Sequence, residues 1–234
     1  MLFWRRPEVA EIEEVLRSEG QKGFTHEGHV RMTRDVRSRA ELEAALRAQG
    51  EAGHIFDVDQ LRVQLGSGRE CFDKAKQAMR AWKMFDAMGW RDREGETLGT
   101  LILNMGFYSL AACRIVYTID EGPAAAQGTT ATTHANPDGS PSGEFLVDEW
   151  GVERFGFAYG TLPCHLVAGE ERFQIEWDKT DDTVWYEVLS FSKPQHWMAK
   201  VGYPVARWFQ DQYHQETALA MQLAIQDEDE QQDV

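Results

Sequence analysis

Apolar positions recur at helical spacing near the start of the chain. Val9, Ile12, Val15 and Leu16 fall on one face of residues 7–19, with Pro7 in the first turn and Gly20 and Gly23 closing the run. The spacing predicts an amphipathic helix. A second helix is signalled by Ser38 and Glu41, a capping-box pair ahead of Leu42, Ala45 and Leu46. Together they make an N-terminal helical extension over residues 1–52. The period then changes. HIFDVDQLRVQL, from His54 to Leu65, partly alternates and reads as the first strand of a main domain spanning 53–225. Gly66, Ser67 and Gly68 lead into a helix that carries Phe72, Ala75, Met79, Trp82 and Phe85 three and four apart, a core stripe.

Leu98 to Met105 and Arg114 to Ile119 read as strands, the second rich in β-favouring Ile115, Val116 and Tyr117. Residues 121–143 hold small, polar and turn residues with no apolar period, which predicts a long flexible loop or insertion. Residues 152–161 alternate again. Phe155, Phe157 and Tyr159 point one way and Gly156, Ala158 and Gly160 the other, until Thr161, Leu162 and Pro163 end the strand. His165, Glu170 and Glu171 are expected in or beside the turn that follows. Phe173, Ile175 and Trp177 share one face of the next strand. TVWYEVLSF, residues 183–191, is apolar on both faces, as a strand with core on one side and a covering element on the other would be. Pro194 ends it. Pro204 opens a last long helix with Val205, Trp208, Phe209 and Tyr213 on one stripe, continued by Ala220 and Ala224. Strand, helix, several antiparallel strands and a long helix make an α+β plan.

Charge narrows the partners. A formal charge of −15 and a pI near 4.9 argue against a nucleic-acid binder or a partner of anionic membranes, both of which need clustered Lys and Arg. Arg31, Arg34, Arg37 and Arg39 are a local exception, read as a solvated face or as partners of the protein's own carboxylates. Residues 226–234, with Asp227, Glu228, Asp229, Glu230 and Asp233, read as a disordered acidic tail. Cys71, Cys113 and Cys164 are widely spaced and include no CxxC pair, which suits reduced thiols in a cytoplasmic protein. No apolar run approaches the roughly 20 residues that span a bilayer, so no membrane insertion is expected. The LGSG loop lacks the GK[ST] of a P-loop and the full GxGxxG pattern, and no cofactor or metal motif is found.

Three separated blocks carry a family resemblance. YGTLPCH followed by GEERF, the earlier LGSG with Phe72, Ala75, Trp82, Met84 and Phe85, and the later FSKP resemble the DUF1990 family of uncharacterised bacterial and plant proteins, over roughly Leu65 to Tyr213. The family usually has glycine where this chain has Cys164. The resemblance implies a START and Bet v 1-like superfold, a helix-grip in which a curved antiparallel sheet holds one long C-terminal helix. It implies no activity.

A curved sheet closed by a helix encloses a space that is either filled or a pocket, and pockets are mostly apolar with a few placed polar groups. Tyr159, Trp185, Trp208 and Phe209 are candidates for an apolar wall. Tyr159, His165, Glu170, Glu171 and Glu187 are candidates for polar points, although a salt bridge is the plainer account of Glu187. Three functions follow. The first is binding of a small apolar or amphipathic molecule. The second is an enzyme of the same fold, with His165 and Glu170 or Glu171 in acid and base roles. The third is an interaction or regulatory module that docks a partner through the N-terminal helices. Adjacent Cys164 and His165 are not read as a thiol nucleophile, because a catalytic pair is normally distant in sequence. The oligomeric state is not legible.

Overall fold

A computed structural model of the chain describes residues 1–49, 56–85, 94–104, 106–121, 134–135, 141–142, 151–195 and 202–232. In chain order these form β1 (Leu2–Phe3), α1 (Val9–Glu19), a 3-10 turn (Glu27–His29), α2 (Arg39–Ala48), β2 (Asp57–Ser67), α3 (Gly68–Arg80), β3 (Thr97–Asn104), β4 (Phe107–Glu121), the paired stubs β5 (His134–Ala135) and β6 (Pro141–Ser142), then β7 (Val152–Thr161), β8 (Val167–Asp178), β9 (Thr183–Pro194) and α4 (Tyr203–Gln232). Apart from the stubs, the predicted 121–143 loop lies outside the described residues.

The strands make one antiparallel sheet in the order β3-β4-β7-β8-β9-β2, with β1 pairing the start of β4. The domain's first strand therefore lies beside its last. The sheet curls strongly into a half-barrel. Register shifts between Ile115 and Tyr117 of β4 and between Gln64 and Gly66 of β2 contribute, since a bulge bends its strand and increases the local twist.

Strand alternation sends side chains into two layers. The inner face packs against α3 and α4 in the main core, where Phe72, Met79, Trp82, Phe157, Phe173, Ile175, Tyr186 and Met221 are all buried. Trp82 and Phe157 are 4.7 Å apart and Phe157 and Phe173 5.4 Å, in tilted and stacked geometry. On the outer face, Leu189 and Phe191 of β9 lie under Leu42 and Leu46 of α2, and Tyr117 and Ala158 lie beside Phe24 and Val30. β9 is thus apolar on both faces for the reason its sequence suggested.

Residues 31–36 are fixed to this outer face through ionic groups. The Glu170 carboxylate accepts from the backbone N–H groups of Arg31 at 2.7 Å and Thr33 at 3.0 Å, and from the Thr33 hydroxyl at 2.6 Å. Arg172 donates to the carbonyls of Thr33 and Val36 and to Glu187 at 2.6 Å. These contacts satisfy buried backbone groups of a segment that is neither helix nor strand, which would otherwise be costly to bury. Of the local arginine cluster, Arg31 pairs with Glu94, and Arg39 with Glu43 at 2.8 Å.

Four elements differ from the sequence reading. Pro7 precedes α1, whose N-cap is Glu8. Ser38 caps α2, but the Glu41 carboxylate reaches past it to the Arg37 N–H at 2.7 Å. β4 begins at Phe107, seven residues before Arg114, because pairing with β3 recruits Ser109, Ala111 and Ala112 despite their weak strand preference. The last helix continues through the acidic run to Gln232, since Glu and Gln are good helix formers and neither Gly nor Pro interrupts them.

Candidate functional site

Glu170 and Glu171 are both in β8, not in the turn before it, and their side chains leave opposite faces of the sheet. Glu171 points inward. Opposite it on β7 is Tyr159, its direct cross-strand partner, and above it is the first half of α4. Tyr159 donates its phenolic proton to Oε2 of Glu171. Nε2 of His214 lies 2.5 Å from Oε1 of the same carboxylate, and the Tyr159 and Tyr213 hydroxyls are 3.2 Å apart. One carboxylate thus holds two donors, one from the sheet and one from the helix.

The cluster is well buried, with Glu171 9% and His214 4% exposed. Thr217, one turn on, anchors its hydroxyl to the His214 carbonyl at 2.9 Å. Tyr186 of β9 brings a buried hydroxyl beside Thr217 without a hydrogen bond of good geometry among the described residues. Around these groups are the rings of Phe173, 5.4 Å from Tyr159, and Phe85, stacked on Tyr213 at 5.9 Å. The composition is an apolar wall with a few polar groups converging on one point.

The electrostatics follow from burial and from the Glu171 charge. Burial draws the His214 imidazole down, but the charge and hydrogen bond of Glu171, with smaller help from the charges of Asp59 and Asp211, outweigh it and leave the pKa above 6.5. Burial, reinforced by Glu171, holds the Tyr159 and Tyr213 phenols well above 10, so both remain donors at neutral pH. Burial also raises the nearby Cys113 thiol well above its usual range, which makes it an unreactive core group. The site can therefore hold a carboxylate and an imidazolium face to face, with two neutral phenols beside them.

The other candidates lie elsewhere. His165 does sit in the turn, where its N–H bonds the Leu162 carbonyl at 2.9 Å and its Nδ1 accepts from Val167 at 3.1 Å, so its partners are backbone groups and neither glutamate. Burial pushes its imidazole down to about 4. Glu187 and Trp185 alternate with the inner residues of β9 and face outward. Glu187 pairs with Arg172, and Trp185 lies under the Arg62 guanidinium at 4.9 Å. Tyr186, between them, occupies the interior that Trp185 was expected to line. Trp208 and Phe209 are on the outer side of α4, 56% and 47% exposed, because the inner stripe of this helix is His214, Thr217, Ala218, Met221 and Ile225. Among the described residues no group of three or more His, Cys, Asp and Glu is placed to hold a metal ion, and no helix is long and apolar enough to cross a membrane.

His214 is the group the sequence reading missed. Its signal was present: it heads a buried i, i+4, i+7, i+11 stripe with Ala218, Met221 and Ile225. A helix apolar on two sides offers a choice of stripes, and the more aromatic one, with Trp208 and Phe209, is the outer one.

The chain resembles other proteins along nearly its full length. A UPF0548 protein of Dictyostelium discoideum is 33% identical over 239 residues, covering 96% of both chains, and a UPF0548 protein of Arabidopsis thaliana is 28% identical over 94% of this chain and 95% of its own. Among solved structures, a hypothetical protein from Helicobacter pylori aligns at 10% identity with a TM-score of 0.37, covering 74% of this chain and 88% of its own, and no fold is assigned on it. The family match spans residues 38–220, wider than the blocks that first suggested it, and takes in α2 and the Glu171–His214 site. The chain belongs to the DUF1990 family, whose description is a domain of unknown function.

Proposed function

We propose that this protein binds a small apolar or amphipathic molecule between the inner face of the sheet and α4, with Tyr159, Glu171 and His214 as its polar anchor. The observation that carries this reading is the buried carboxylate bridging a phenol of the sheet and an imidazole of the helix. A polar cluster in a core costs stability unless every member is satisfied, so its position in an otherwise aromatic interior favours a recognition role. A ligand hydroxyl or carbonyl would compete for the Tyr159 and Tyr213 hydroxyls. Its body would lie along Phe85 and Phe173. The helix-grip reading fits the same picture: β2 lies beside β9, the intervening strands meander back to it, and α4 crosses the inner face.

Native mass spectrometry of freshly purified protein, compared with the same sample after denaturation, tests this. A released small molecule that is lost from the Glu171→Gln and Tyr159→Phe variants supports the site. Wild-type protein that carries no added mass, and gains none from a panel of fatty acids, sterols and polyketide-like aromatics, refutes it.

A second reading is supported by the 2.5 Å Glu171–His214 contact. Carboxylate and imidazole in this geometry form an acid and base pair, so an enzyme of this fold would use His214 where the sequence suggested His165. Turnover of the copurified molecule that disappears in His214→Gln, with binding retained, would establish it.

A further inference from the structure

The inner face of the sheet changes character between two adjacent rows of cross-strand neighbours. In one row Phe157, Phe173, Val188 and Leu61 lie side by side across β7, β8, β9 and β2, and all four are apolar. In the next, Tyr159, Glu171, Ser190 and Asp59 occupy the same four strands, and all four are polar. The polar row therefore runs on past Tyr159 and Glu171 to the edge of the sheet. Ser190 and Asp59 face inward like the residues two places from them: Val188 and Leu61 pack in the main core, and Ser192 accepts from the Gln210 amide of α4 at 3.3 Å.

Helix α4 answers this row group by group. His214 meets Glu171, and the Arg207 guanidinium donates to both oxygens of Asp59, at 2.5 and 2.6 Å. Ser190 is the exception in the row. It stands between the two carboxylates and is 2% exposed, and its Oγ has no hydrogen-bond partner among the described residues. A buried hydroxyl without a partner is costly, and where every neighbour in the row is held it points to a group that comes from outside the chain.

Charge and hydrogen-bonding capacity decide what that group is. Glu171 and Asp59 are balanced by His214 and Arg207, so a charged head would arrive without a counter-ion. A carboxylate head would also lie against two carboxylates. Asp57, one row further on, is half-exposed and already accepts from the Tyr203 hydroxyl at 2.7 Å. A hydroxyl suits both of its neighbours: it accepts from Ser190 and donates to Glu171, whose oxygens each take one donor here and can take about two. Granted the binding site between sheet and α4 proposed above, on which this rests, we propose that Ser190 is its head-group residue. The ligand it selects carries a neutral hydroxyl, and its apolar body lies along the row of Phe157, Phe173, Val188 and Leu61.

Isothermal titration calorimetry of the full chain with decanol, decanoate and decylammonium tests this, since the three probes share one chain and differ in the head. Urea unfolding is the second readout. Decanol is expected to bind at least about 10-fold more tightly than either ion. Ser190→Ala is expected to weaken decanol binding about 10-fold, roughly the worth of one hydrogen bond. It should leave the urea midpoint unchanged or raised, because the unliganded fold gives Ser190 Oγ no partner to lose. An ion that binds as tightly as decanol, or a Ser190→Ala variant that keeps wild-type affinity for decanol, would overturn the proposal and leave the binding site standing. A lowered urea midpoint in Ser190→Ala would show the hydroxyl to be structural and would overturn it as well. If none of the three probes binds, the binding site itself fails and the proposal falls with it.

Discussion

Four consecutive residues of β8, Glu170, Glu171, Arg172 and Phe173, divide between two environments that have little in common. Glu170 and Arg172 face outward, where the backbone of residues 31–36, the Thr33 hydroxyl and Glu187 bond the Glu170 carboxylate and the terminal guanidinium nitrogens of Arg172. Glu171 and Phe173 face inward, among aromatic rings and against α4. The outward carboxylate's oxygens meet N–H and O–H groups of a single loop, with the buried His26 imidazole of that loop 3.6 Å away. The inward one meets titratable groups from two separate elements. Adjacent carboxylates thus differ in kind because a strand's period of two assigns them to different solvents.

The largest effects should come from breaking each layer at its centre. Arg172→Ala leaves buried Glu187 short of its main partner and should cost about 3 to 5 kcal/mol in urea unfolding, whereas Arg172→Met with Glu187→Leu should recover much of it. Phe173→Ala, on the other face of the same strand, should cost a similar 3 to 5 kcal/mol, roughly, through the cavity it opens. If the outer pair proved silent while Phe173 did not, the ionic layer would be ornament and the residues that cover the outer face would be held by their apolar contacts alone.

Glu170→Gln should cost about 2 to 3 kcal/mol, because both carboxylate oxygens accept from N–H groups and the amide would turn its own N–H₂ toward that of Arg31 or Thr33. It should leave ligand binding unchanged. Glu171→Gln should cost less, about 1 to 2 kcal/mol, and abolish binding. Equal effects of the two on binding would erase the distinction between the faces.

The pH dependence of stability sharpens the comparison further. His214 has a folded value above its unfolded 6.5, so its pairing contributes fully below pH 6.5 and is lost as pH rises through the raised value. His165 has a folded value near 4, below the unfolded 6.5, so the native state loses stability as pH falls from 6.5 toward 4. Glu171→Gln should flatten the alkaline side of a stability-against-pH curve and leave the loss caused by His165 on the acid side. The smallest effect should be that of Trp185→Ala, about 1 kcal/mol from the lost contact with Arg62, with no change in ligand binding.

Much of this architecture is legible in the sequence. The two N-terminal helices, the α3 core stripe and the alternation of β7, β8 and β9 all follow from periodicity that local burial imposes. The partner of each face was not. Little in residues 26–36 marks them as the cover of β8, because the bonds that hold them to it are mostly backbone groups meeting Glu170 and Arg172 more than 130 positions away. The site was half legible. Tyr159 and Glu171 were named and are hydrogen-bonded neighbours, Trp185 was placed a register off, since a strand apolar on both faces does not say which face is inside, and Glu187 makes the salt bridge that was its plainer reading. Trp208 and Phe209 were read as wall because they are aromatic; the structure turns them outward.

The most direct test is the titration of the His214 ring by two-dimensional NMR in the wild type, Glu171→Gln and Glu170→Gln. The wild type should show a midpoint above 6.5, Glu171→Gln a clearly lower one, with burial then opposed only by the charges of Asp59 and Asp211, and Glu170→Gln no change. A wild-type midpoint that Glu171→Gln leaves in place would contradict the claim that the inner carboxylate organises this site.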